Sequence, residues 1–243
     1  MATVLITGAS RGIGAAAART FAQRGWKVAL NYNTSREKAL ALAEELRREG
    51  GTVLPVAADV ADRSQVDRMM EEVRQALGDP ELLINNAGIS QQALFTDLSE
   101  ADWDRMFDVH VKGCFHCCQA VLPAMIRRRQ GQIINISSMW GQVGGSCEVH
   151  YSAAKAAVIG LTKALAKEVG PSHIRVNCVA PGVIDTEMNG HLSPADLDVL
   201  REETPLETIG TPQDVADLLL FLASDSARFI TGQVIAPNGG LVI

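Results

Sequence analysis

Thr3-Val4-Leu5-Ile6-Thr7-Gly8-Ala9-Ser10-Arg11-Gly12-Ile13-Gly14 stands almost at the start of the chain. A short apolar, β-branched run, then spaced glycines, then an alanine-rich helical pattern is the setting in which a glycine turn carries meaning. Glycines let backbone approach a pyrophosphate, and the helix that follows offers unpaired N–H groups and the positive end of its dipole. The spacing is G-x-x-x-G-x-G rather than the commoner G-x-G-x-x-G, and out of context it reads as a tight turn. A strand before it and a helix after it favour a nucleotide site built on Gly8, Ser10, Arg11, Gly12, Ile13 and Gly14.

The same alternation continues outward. Strand-like runs fall near residues 4–7, 28–31, 52–57, 82–85, 132–137, 175–179 and 233–236, with helical patterns near 12–24, 35–49, 63–77, 99–129, 150–169 and 212–223. Strand and helix in alternation imply right-handed crossovers and a parallel sheet covered on both faces. The expected architecture is a single-domain α/β Rossmann-type doubly wound sheet over residues 1–243. Residues 182–210 break the rhythm, being polar, acidic and punctuated by Pro194 and Pro205. They follow a strand end, where open α/β sheets bind ligands, and read either as a substrate-covering loop with one or two short helices or as a surface excursion.

Composition narrows the function. With 47% hydrophobic residues, 21% charged residues and a net charge of −6, the chain suits a soluble enzyme and not a nucleic-acid binder. The first strand begins too close to Met1 for a secretory leader, and the longest apolar run, 218–223, is far shorter than the ~20 residues a bilayer needs. A cytoplasmic location is expected, with no membrane partner. The five cysteines are an odd set and read as reduced thiols. Cys114-Phe115-His116-Cys117-Cys118 has metal-like spacing, but it lies in an apolar helical stretch without a second ligand pair, so core packing is expected and no metal.

Tyr151 and Lys155 are four residues apart, which on a helix places both on one face. A tyrosine near its usual pKa of about 10 gives up a proton poorly at neutral pH, and a cation nearby stabilises the phenolate. The pair suits protonation of a carbonyl oxygen, although such spacing also arises by chance.

The end of the second strand bears on the cofactor. An acidic residue there would bind the ribose 2′-hydroxyl of NAD, yet Leu30-Asn31-Tyr32-Asn33-Thr34-Ser35-Arg36 holds no carboxylate before Glu37. Arg11 and Arg36 are placed to meet a 2′-phosphate, with Asn33, Thr34 and Ser35 as donors. NADP(H) is the expected cofactor.

Taken together, the runs Thr7-Gly8-Ala9-Ser10-Arg11-Gly12-Ile13-Gly14, Asp59-Val60, Asn85-Asn86-Ala87-Gly88, Ile136-Ser137-Ser138, Tyr151 with Lys155, and Pro181-Gly182-Val183-Ile184-Asp185-Thr186 resemble the short-chain dehydrogenase/reductases over essentially the whole chain. The resemblance implies that Asp59 and Val60 hold the adenine, that Asn86, Ala87 and Gly88 line the cofactor, and that Pro181, Gly182, Ile184 and Thr186 flank the nicotinamide. It further implies that Ser138, thirteen residues before Tyr151, hydrogen-bonds the substrate carbonyl. Tyr151 would be the proton donor, and Lys155 would bind the nicotinamide ribose and lower the tyrosine pKa. His110 stands where the family usually has an asparagine that holds a relay water, and it is expected either to substitute in the relay, titrating near neutral pH, or simply to pack. His150 stands where relatives often have asparagine.

The nearest likeness is to 3-oxoacyl-acyl-carrier-protein reductases of fatty acid synthesis, small homotetramers acting on a ketone held by acyl carrier protein. Arg129 matches a carrier-docking position in that group, or is an ordinary helix-end cation; Ser172 or His173 stands where a second docking arginine would be. Residues 139–150 instead resemble a subgroup that reduces 5-aminopentanone on elongation factor P, with Glu148 suited to a cationic amine and Trp140 to a short aliphatic chain. A non-catalytic NADP-binding regulator is the reading outside enzymology, disfavoured by the presence of both Tyr151 and Lys155. A tetramer would form through the helices at 99–129 and 150–169 and the tail Gly239-Gly240-Leu241-Val242-Ile243.

Overall fold

The computed structural model describes residues 1–190 and 192–243; His191, inside the expected covering segment, lies outside the described residues. Seven parallel strands form one sheet: β1 (Thr3–Ile6), β2 (Lys27–Tyr32), β3 (Thr52–Ala57), β4 (Leu82–Asn85), β5 (Gly131–Ile136), β6 (Ile174–Val179) and β7 (Val234–Ile235). Their order is β3-β2-β1-β4-β5-β6-β7. The chain winds from β1 through β2 to β3, then returns to the other side of β1 with β4, so the winding reverses between β1 and β4. The carboxyl ends of those two strands leave the crevice in which such sheets hold ligands.

Both faces are apolar because both are covered. Along β1, Val4 and Ile6 face one layer and Leu5 the other; Leu82 and Ile84 alternate with Leu83 in β4 in the same way. The first layer is α1 (Gly12–Gln23), α2 (Arg36–Arg48) and α9 (Pro212–Ala223), and the second is α3 (Arg63–Leu77), α5 (Gly113–Arg128) and α7 (Val149–Val169). Cys114, Cys117 and Cys118 pack into that second layer with Met69, Met70 and Val121, so the metal-like cluster is core.

The helix expected over 99–129 is three pieces. α4 (Glu100–Phe107) starts at a Ser99–Asp102 capping box, and one π-helical turn (Asp108–Lys112) joins it to α5. A short α6 (Trp140–Val143) follows β5, where no helix was expected. Within 182–210 lie a 3₁₀ turn (Glu187–Asn189) and α8 (Pro194–Glu203). Met188, Asn189, Leu192 and Leu200 from this segment form a wall of the cavity described next.

Candidate active site

The glycine turn is built by close approach. Gly8 has φ +62° and Gly12 φ +54°, conformations that side chains rarely adopt. A Cβ on Gly14 would lie 2.5 Å from the Gly8 carbonyl oxygen, so Gly14 is required for packing of α1 under the turn. Two asparagines brace it. Asn86 Nδ2 donates to the carbonyls of Thr7 (2.9 Å) and Gly8 (3.0 Å), while Thr7 Oγ1 accepts from the backbone N–H of Asn86 and Ala87. Asn31 Oδ1 accepts from Gly8 N and its Nδ2 donates to the Ala58 carbonyl. Asn31 was not singled out from the sequence, although a buried polar residue inside an apolar strand is the signal that marks it.

Two chambers meet above the sheet. The larger, about 590 Å³, is lined by Gly8, Ser10, Arg11 and Gly12, by Asn33, Thr34 and Ser35, by Asp59 and Val60, and by Asn86, Ala87 and Gly88. The smaller, about 330 Å³, is lined by Ser138, Tyr151, Lys155, His110, Pro181, Gly182 and Ile184. Ile13, Asn86, Gly88, Thr186 and Met188 line both, so they are one continuous site. The residues expected at the cofactor site thus border the space except Gly14, which supports it from beneath, and Arg36. The first turn of α2 instead sends Lys38 to Glu187, which does border it. Arg105 also lines the larger chamber and pairs with Asp59 at 3.1 Å, a partner separated by 46 residues that the sequence alone did not offer.

In the smaller chamber the two adjacent serines diverge. Ser137 Oγ donates to the Lys155 carbonyl at 2.8 Å, whereas Ser138 Oγ, which lines the cavity together with Tyr151, accepts from Trp140 N at 3.2 Å. Tyr151 and Lys155 lie on one face of α7. Lys155 Nζ is 5.5 Å from the Tyr151 ring centroid and donates to the Ile136 carbonyl at 2.9 Å. Burial lowers the Lys155 ammonium to about 8. Burial pushes Tyr151 up to about 12, with Ser138 acting in the opposite direction and Glu148 adding to the rise. Desolvation of the phenolate is the largest cause, and the phenol holds its proton at neutral pH.

His110 borders this chamber from the π-helical turn, and its Nε2 is 2.8 Å from the Ile89 carbonyl. Burial first, then the charge of Lys155, holds its pKa well below 6.5. His150 is fully buried and turned away from the cavity, with Nε2 3.4 Å from Gln91 Oε1; Gln91 donates in turn to Asp102. Glu148 and Trp140 both line the chamber.

A family model described as enoyl-(acyl carrier protein) reductase matches residues 8–242. The 3-oxoacyl-(acyl-carrier-protein) reductase FabG of Staphylococcus epidermidis is 43% identical over 239 residues, covering 98% of each chain. The chain belongs to the short-chain dehydrogenase/reductase family. The uncharacterized oxidoreductase YmfI of Bacillus subtilis is 40% identical, again over 98% of each chain. The crystal structure of a 3-oxoacyl-(acyl-carrier-protein) reductase from Brucella melitensis superposes with a TM-score of 0.94 at 36% identity, over 100% of this chain and 91% of that one.

Members of this short-chain dehydrogenase/reductase family act with a nicotinamide cofactor, and the residues present fit one. α3, α4, α8 and α9 have their first N–H groups capped by Asp62, Ser99, Ser193 and Thr211. α1 begins with no side-chain cap and no acidic residue in its first turn, directly beneath the larger chamber. Its first N–H groups, which no side chain caps, are donors of the kind that suit an anion. The family relationship makes the chain an oxidoreductase acting between CH–OH and C=O groups.

Proposed function

We propose that the chain is an NADPH-dependent carbonyl reductase acting on a 3-oxoacyl group presented by acyl carrier protein. The carrying observation is the convergence of Ser138 and Tyr151 on a chamber that opens into the cleft above the glycine turn. The glycine turn and α1 would hold the pyrophosphate. Asp59 and Val60 would hold the adenine, and Pro181, Gly182, Ile184 and Thr186 the nicotinamide end.

When bound, the nicotinamide supplies hydride to the carbonyl carbon. Negative charge then develops on the carbonyl oxygen, and Ser138 Oγ and the Tyr151 hydroxyl are two donors for it. Tyr151 transfers its proton to that oxygen, so ketone, hydride and proton give the alcohol. A phenol at about 12 is a weak acid on its own, but the alkoxide it meets is a stronger base than the phenolate left behind. Lys155 supplies the cation beside that phenolate. His110, held neutral, acts as a support for the Gly88–Ile89 wall or a holder of relay water rather than as an acid.

A second reading has its own observation. Glu148 and Trp140 both line the chamber, a carboxylate and an aromatic face suited to the aminopentanone of elongation factor P. Arg129, read either as a carrier-docking residue or as a helix-end cation, closes α5 in the left-handed conformation and donates to the Pro171 carbonyl. Parallel NADPH oxidation with acetoacetyl-carrier protein and with aminopentanonylated elongation factor P decides between the two, and absence of turnover on both would return the regulator reading. A cytoplasmic homotetramer completes the proposal: Phe115 and Ile126 are exposed along α5, as is Ile243 at the tail. Light scattering that reads a monomer overturns it.

A further inference from the structure

A cluster of charges at the ribose end of the cleft has no part in the chemistry above. Glu187 accepts from Lys38 Nζ at 2.7 Å on each carboxylate oxygen, and its Oε2 lies 3.9 Å from Arg11 Nε. Arg11 Nη1 donates to Ser35 Oγ at 3.3 Å. Three separate parts of the chain, the glycine turn, the start of α2 and the segment after β6, therefore meet on one carboxylate beside the residues proposed for the 2′-phosphate. Lys38 and Arg11 hold that carboxyl below its ordinary range, so it is an anion at working pH. All three side chains are about half exposed, and ion pairs of this kind are weak and readily exchanged.

A phosphate monoester carries more charge than a carboxylate and offers three strong acceptor oxygens to the same cations. We propose that Glu187 is a resident counter-anion competing with the 2′-phosphate for Arg11 and Lys38, so that Lys38 favours NADP(H) over NAD(H) and Glu187 opposes it. The inference rests on the NADP(H) reading above.

The two members of this pair should act in opposite directions, which separates competition from a simple latch. A latch broken from either side gives the same change; a competing anion and its cation do not. Calorimetric titration with 2′,5′-ADP and with 5′-ADP, which needs no turnover, reads the difference. Glu187→Gln is expected to tighten 2′,5′-ADP by about two- to fivefold, Lys38→Met to weaken it by a similar factor, and both to leave 5′-ADP within about twofold. Thermal unfolding of each variant confirms that it is folded. Changes of the same sign in both variants, or an unaltered ratio of the two ligands, overturn the proposal. If the parent protein itself shows no preference for 2′,5′-ADP, the NADP(H) reading falls with it, whereas a preference that neither substitution alters removes only the counter-anion.

Discussion

The imidazole of His110 meets the Tyr151 ring edge-on, with centroids 5.4 Å apart and planes at 86°. Its Nε2 lies 2.8 Å from the Ile89 carbonyl and 3.2 Å from the Ile89 N–H, so the tautomer sets whether it donates to the one or accepts from the other. Since burial and then Lys155 lower the His110 pKa well below 6.5, the ring is neutral at neutral pH. The pH profile of kcat is accordingly expected to show no histidine limb between about pH 6 and 7. His110→Asn, which keeps a polar group on the same wall, should leave turnover within about tenfold of the parent. A limb near pH 6.5 that disappears in His110→Asn would falsify this assignment.

Tyr151→Phe removes the hydroxyl but not the ring that packs against Met106 and Ala154. Turnover should fall by at least about a hundredfold, the lower range for loss of a general acid, while NADPH binding by fluorescence stays close to that of the parent. Comparable turnover in the two proteins removes Tyr151 from the chemistry.

Lys155 links function to stability. Burial brings its folded-state pKa from the usual 10.5 to about 8, so the unfolded chain binds more protons between those values and stability rises with pH across that window. Below pH 8 the buried ammonium costs up to about 3 kcal/mol. Lys155→Met should therefore raise Tm at pH 7 by a few degrees, flatten the alkaline rise and abolish most turnover. A lower Tm in calorimetry would mean that the bond to the Ile136 carbonyl outweighs the burial of charge.

The glycine turn can be tested without catalysis. Asn86→Ala leaves the Thr7 and Gly8 carbonyls without their side-chain donor, which should destabilise by about 1–3 kcal/mol and weaken NADPH about tenfold or more. Gly14→Ala drives a methyl into backbone and should be worse on both counts. Tight NADPH binding by either variant shows that the turn tolerates what its geometry forbids.

The parallel strands were legible because burial on both faces leaves short, continuous apolar runs bounded by glycine and asparagine. α3 was legible to the residue, with its periodicity closed by Asp62 and Gly78. The π-helical turn was not, since the one trace it leaves, the step of five from Val109 to Cys114, lies inside a stretch that is otherwise helical in its spacing. α6 is too short to carry a period, and Arg105–Asp59 and Lys38–Glu187 join positions whose proximity only the folded topology creates. The directions of the Tyr151 and His110 pKa values were not legible for one reason: spacing reports neighbours, while desolvation depends on everything that excludes water.

The extra residue in the turn Asp108–Lys112 also acts as a phase setter. Each residue of an α-helix advances the face by about 100°, so deleting one residue there would rotate α5 by roughly that angle relative to α4. Cys114, Cys117 and Val121 would swing out of the core while α4 kept Met106 against Tyr151. The helix register on the catalytic side and that on the packing side are thus set independently, and an insertion or deletion at this turn would report directly on how much misalignment the sheet can absorb.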